Sequence, residues 1–136
     1  MSYSTKKLID SHAHIYMCEE STEKLANESL TNGIQATINV GIDLVTSQQV
    51  IKDHILFPSL KPTAGIHPCS TPDISPDDLH HLDSIAVMPG VVAIGETGLD
   101  YYWEPYDKAK QELFFRYQLD LGQKLNLPVV IHNRRA

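Results

Sequence analysis

Short apolar runs alternate with helix-patterned segments along almost the whole chain, and that alternation restricts the fold more than any other feature. Leu8-Ile9-Asp10, Ile34–Val40, residues 61–68, Val91–Ile94 and Val129–Ile131 are expected as five strands. The segments between them keep helical spacing. Ser21 is placed to cap the first helix, whose apolar positions are Leu25, Ala26 and Leu30, and Gly33 is placed to stop it. Thr46 with Gln49 makes a capping-box pattern for a second helix. Ser75-Pro76-Asp77-Asp78 opens a third, with Leu79, Leu82, Ile85 and Ala86 facing inward. The fourth is expected over residues 107–125, with Leu113, Tyr117, Leu121 and Leu125 stacked at i+4 spacing. Residues 1–7 are a polar lead-in, and residues 95–105 read as a long aromatic loop. Strands that are near-continuously apolar belong to parallel sheets covered by helices. The fold class is therefore α/β, with five parallel strands and four helices built as in a β/α barrel.

Residues able to hold a metal cluster at strand ends. His12 and His14 stand two apart, so an extended strand projects both imidazoles from one face. Asp10 shares that parity and is expected to back them. A lone His-x-His is a weak signal. Here Gly95-Glu96-Thr97-Gly98 and Ile131-His132-Asn133-Arg134 also follow apolar runs. Active sites of β/α barrels are built at the carboxyl ends of the strands.

The 136 residues are expected to form one domain, 1–136. A formal net charge of −6 argues against a broad basic surface for nucleic acid. It leaves a phosphate substrate open, because bound divalent cations reverse the local sign in a cleft. No apolar run approaches the roughly 18 residues needed to span a membrane. Cys18 and Cys69 are far apart with no Cys-x-x-Cys, as free thiols in a reducing, cytoplasmic setting would be.

Four stretches together resemble the TatD family of metal-dependent deoxyribonucleases, within the amidohydrolase-like barrels. They are Asp10-Ser11-His12-Ala13-His14, Gly65-Ile66-His67-Pro68, Gly95-Glu96-Thr97-Gly98-Leu99-Asp100-Tyr101-Tyr102 and Pro128-Val129-Val130-Ile131-His132-Asn133-Arg134. The resemblance implies a two-metal hydrolase of DNA phosphodiester bonds, commonly exonucleolytic. A complete β/α barrel takes about 250 residues, so the chain is expected to be the amino-terminal part of a TIM-type (β/α)8 barrel. A further ligand histidine after strand six and an aspartate after strand eight are implied beyond Ala136. The family usually has Arg-Asp-Ala or Arg-Asn-Ala where this chain has Arg134-Arg135-Ala136, which places a positive charge beside the site.

On this resemblance His12 and His14 bind one metal, Glu96 bridges two as the catalytic carboxylate, and His132 binds the second. Imidazoles suit Zn²⁺ or Mn²⁺, and the carboxylate keeps Mg²⁺ open. His67 either contacts substrate or packs in a stiff loop before Pro68. Arg134 either neutralises a substrate phosphate or is a surface charge. Tyr102, with Tyr101 and Trp103, either stacks on unpaired bases or packs at the barrel mouth. Asp100 can hold the glutamate segment in shape. Two other functions stay open: ester or amide hydrolysis on the same barrel, and a non-catalytic product that self-associates as a homo-oligomer through exposed half-barrel edges.

Overall fold

The computed structural model describes residues 7–136, so the polar lead-in lies outside the described residues except for Lys7. Five strands make one sheet in sequence order: β1 (Leu8–Ala13), β2 (Ile34–Asn39), β3 (Leu60–Ala64), β4 (Ala93–Asp100) and β5 (Val129–Arg134). Every neighbouring pair is parallel. Helices α1 (Thr22–Thr31), α2 (Leu44–Leu56), α3 (His81–Ala86) and α4 (Lys108–Leu125) alternate with them. The result is the expected α/β half-barrel. No helix among the described residues is long and apolar enough to cross a membrane.

Local chemistry explains most boundaries. The Ser21 hydroxyl accepts from the Lys24 N–H at 3.2 Å, which starts α1 as expected. The cap of α2 is Asp43, three residues before the expected Thr46. Asp43 accepts from the Thr46 N–H at 2.7 Å, and Thr46 Oγ1 accepts from the Asp43 N–H at 3.0 Å. Thr46 thus closes a capping box rather than opening one. The proline-led third segment is a 3-10 turn over Pro76–Asp78, and α3 proper holds only six residues. Its inward face is nevertheless the expected one, since Leu79, Leu82, Ile85 and Ala86 are all buried.

Two elements depart further from expectation. Of the expected face of α4, Leu121 is buried and Tyr117 and Leu125 pack against the core, but Leu113 is 48% exposed, and the buried positions are Gln111, Phe114, Gln118, Leu121 and Gly122. Strand β4 runs through the expected loop to Asp100. Gly98, at φ +145°, reads locally as a turn residue, but here it lets two backbones approach. A Cβ at Gly98 would lie 2.0 Å from the His132 carbonyl oxygen. That close approach pairs Gly98 with His132 and Asp100 with Arg134 in the sheet. The main core, between sheet and helices, includes Ile51, Ile66, Leu82, Ile85, Ile94 and Phe114. Each such side chain contributes about 1.5–3 kcal/mol on burial.

Candidate metal centre

The turn after β1 is fixed before its histidines are. The Ile15 N–H donates to Asn39 Oδ1 at 3.0 Å, and Asn39 Nδ2 donates to Asp53 Oδ2 at 3.3 Å. Gln49 Nε2, on the exposed side, holds the other Asp53 oxygen at 2.8 Å, so the turn after β1, β2 and α2 are joined through the buried Asn39–Asp53 pair. Beside it, the Val40 carbonyl lies 2.8 Å from His14 Nδ1 and accepts from the Tyr16 hydroxyl at 2.9 Å. A carbonyl only accepts, so the His14 proton sits on Nδ1. Its Nε2 lone pair then faces His12 Nε2 at 3.2 Å and Glu96 Oε2 at 3.5 Å. His12 Nε2 is 3.3 Å from the same oxygen. These three ligand atoms lie within 4.8 Å of one another, a grouping that could hold a metal ion. Asp10, expected behind the imidazoles, instead accepts from the His12 backbone N–H at 3.1 Å.

Glu96 stands between two groups of nitrogens. Its backbone N–H donates to the Gly41 carbonyl at 2.8 Å, which anchors β4 at the end of β2. Oε2 faces His12 and His14, whereas Oε1 lies 3.1 Å from His132 Nδ1 and 4.0 Å from His67 Nε2. Two ligand groups, His12–His14–Glu96 and His67–Glu96–His132, therefore share this carboxylate. Burial on its own would raise the Glu96 pKa. The His14 hydrogen bond, the His67 and His12 charges and the His132 hydrogen bond outweigh it and hold the group down to about 2. The hydrogen bond to Glu96 raises His14 above 6.5 against the opposing effect of burial.

His67 belongs to the second group by distance, but its tautomer gives it a different part. Its Nδ1 accepts from the Cys69 N–H at 3.1 Å, so in the neutral ring the proton sits on Nε2 and points toward Glu96. His67 is thus a hydrogen-bond donor aimed into the centre. Burial, with the neighbouring His132 charge, lowers its pKa to about 4 and keeps it neutral.

Arg134 lies with its Cζ 3.7 Å from the Tyr102 ring centroid and 5.4 Å from that of Trp103, and Arg135 lies 4.7 Å from Tyr102. Neither guanidinium has a carboxylate within 4.0 Å among the described residues. Tyr101 turns away and stacks on Tyr106 at 5.0 Å, which is packing.

Two buried glutamines on α4 escaped the sequence argument. Gln118 accepts from the Ile66 N–H at 2.7 Å and donates to the Ile66 carbonyl at 3.0 Å, which fixes the segment before His67. Gln111 makes the same two-point clamp on Asp100, at 2.8 and 2.9 Å. The signal that could have found them is their spacing, since Gln111, Phe114, Gln118 and Leu121 follow one helical stripe.

A family model described as TatD related DNase matches residues 9–136. An uncharacterized metal-dependent hydrolase of Bacillus subtilis, YabD, is 32% identical over 131 residues, which cover 95% of this chain and 51% of that protein. The 3'-5' ssDNA/RNA exonuclease TatD of Salmonella typhimurium is 34% identical over 104 residues, covering 76% of this chain and 40% of its own length. Among solved structures, the TatD homolog YJJV of Escherichia coli superposes with a TM-score of 0.85 at 26% identity, over 94% of this chain and 51% of that one. The chain spans about half the length of the curated relatives it matches.

Proposed function

The chain belongs to the TatD-related DNase family of metal-dependent hydrolases, and from its site we propose hydrolysis of DNA phosphodiester bonds, released from a strand end. One observation carries this: imidazole nitrogens of three residues at strand ends converge from two sides on the single carboxylate of Glu96. The donor set fits divalent cations. The tautomer of His14 is fixed by Val40, so its Nε2 is free to bind.

His12, His14 and Glu96 would hold one cation, and Glu96 with His132 would hold the second. Bound cations supply Lewis acidity toward the phosphoryl oxygens and activation of water. Imidazole ligands suit Zn²⁺ or Mn²⁺, and the carboxylate admits Mg²⁺. Glu96 is the catalytic carboxylate, presenting one oxygen to each side. His67 Nε2–H donates to a phosphate oxygen entering from the β3 side. Arg134 neutralises a neighbouring phosphate, and Tyr102 gives the guanidinium a flat seat beside an unpaired base. The exposed free thiols of Cys18 and Cys69 suit a reducing, cytoplasmic setting.

The test is metal content and cleavage of single-stranded DNA with added Mg²⁺, Mn²⁺ or Zn²⁺, using Glu96→Gln as control. Cation-dependent release of nucleotides that the variant loses supports the reading. Turnover of simple esters with intact DNA would replace it with ester hydrolysis on the same barrel.

A further inference from the structure

We propose that Asp100 is a positioning residue that sets the tautomer of His132 and aims its Nδ1 lone pair at the cation shared with Glu96. The inference rests on the metal-site reading above. His132 lies between two carboxylates, with Nε2 at 2.9 Å from Asp100 Oδ2 and Nδ1 at 3.1 Å from Glu96 Oε1. A neutral imidazole has one N–H, and ionised carboxylates only accept. In the neutral ring one of the two contacts is therefore lone pair against lone pair, and a cation would fit there. Asp100 is the more fixed of the two carboxylates, being 2% exposed and tied down at every atom it offers. Its Oδ1 accepts from the Tyr102 N–H at 2.9 Å, and the Cys69 thiol donates to Oδ2 at 3.5 Å. The Gln111 carboxamide holds its backbone N–H and carbonyl at 2.8 and 2.9 Å. The proton accordingly goes to Nε2 on the Asp100 side, and Nδ1 is left open toward Glu96. Helix α4 thus reaches the metal centre through Gln111, Asp100 and His132.

Asp100→Asn is informative because its carboxamide cannot satisfy both neighbours as the carboxylate does. The Tyr102 N–H requires the amide oxygen, which turns the amide NH₂ toward His132 Nε2. His132 must then present a lone pair at Nε2 and carry its proton on Nδ1, facing Glu96.

The experiment records the ring ¹⁵N signals of His132 in the intact chain and in Asp100→Asn at about pH 8, where a free histidine of ordinary pKa is neutral, without metal and during titration with Zn²⁺. The native chain is expected to show Nε2–H, with Zn²⁺ moving the Nδ1 signal. The variant is expected to show Nδ1–H and a Zn²⁺ affinity at His132 about 10–100-fold weaker, while His12 and His14 keep their response. An Nδ1–H tautomer in the native chain, or an unchanged tautomer and Zn²⁺ response in the variant, overturns the proposal. If the variant does not fold, the tautomer of the native chain decides alone. A native chain that ignores Zn²⁺ but shows Nε2–H sinks the metal reading and leaves the Asp100 assignment standing.

Discussion

The charge state of the centre follows from two groups whose pKa values are displaced downward in the folded chain. His67 ionises near 4 instead of 6.5, first because it is buried, and Glu96 ionises near 2 instead of 4.5. A base with a lowered pKa takes up its proton later when folded than when unfolded. Stability from His67 is therefore present above pH 6.5 and lost as pH falls toward 4. Glu96 continues the loss between 4.5 and 2. His14, raised by its hydrogen bond to Glu96, works in the opposite sense and loses its contribution as pH rises through its folded value. Thermal melts of the metal-free chain from neutral to acid pH should fall in two stages, and His67→Gln should flatten the first. A melting temperature independent of pH between 6.5 and 4 would contradict the account. The raised His14 also means that a bound cation displaces a proton, so metal affinity should strengthen as pH rises through the folded value of His14, above 6.5. Calorimetry in buffers of different ionisation enthalpy reads that release directly.

At the level of elements, what could be read from sequence was what local chemistry decides. Ser21, the acid-and-proline opening at residues 75–78, and the run of apolar residues in each strand are short-range signals. They located five strands and four helical segments in order. His12, His14, Glu96 and His132 were legible because each follows such a run. Gln111 and Gln118 were not, because a glutamine on a helix is ordinarily solvated, and only the approach of β3 and β4 supplies the backbone groups they bind. The extension of β4 escaped for the same reason: Gly98 reads as a turn until β5 is beside it. Gln118→Leu should orphan the Ile66 N–H and carbonyl at about 1–3 kcal/mol for each group, seen as a lower urea midpoint. Gly98→Ala should be costlier in the sheet. It combines a backbone conformation disfavoured by about 1–3 kcal/mol with a Cβ placed 2.0 Å from the His132 oxygen. Hydrogen exchange should rise in β5 first, and protection equal to the native chain would count against the close-approach argument.

For the whole molecule, the decisive fact is that a half-barrel has two outer strands. Among the described residues β1 pairs only with β2, and β5 only with β4. Leu8, Ile9 and Ile131 on these strands are 55%, 66% and 58% exposed. Beyond β4, a groove of about 360 Å³ lies between Leu99 and the α4 side chains Phe115 and Leu119. Unpaired strand edges bordered by apolar side chains recruit further strands. The net charge of −6 opposes association only over the range of salt screening, and physiological ionic strength shortens that range to about 8 Å. Edge pairing should therefore prevail, and the 136-residue chain is expected to self-associate on gel filtration, more strongly as salt is raised. Ile9→Lys places a charge on the β1 edge and should shift the population toward monomer without altering the Zn²⁺ response of His14. A native chain eluting as a compact monomer at every salt concentration would show that its edges are closed in some other way.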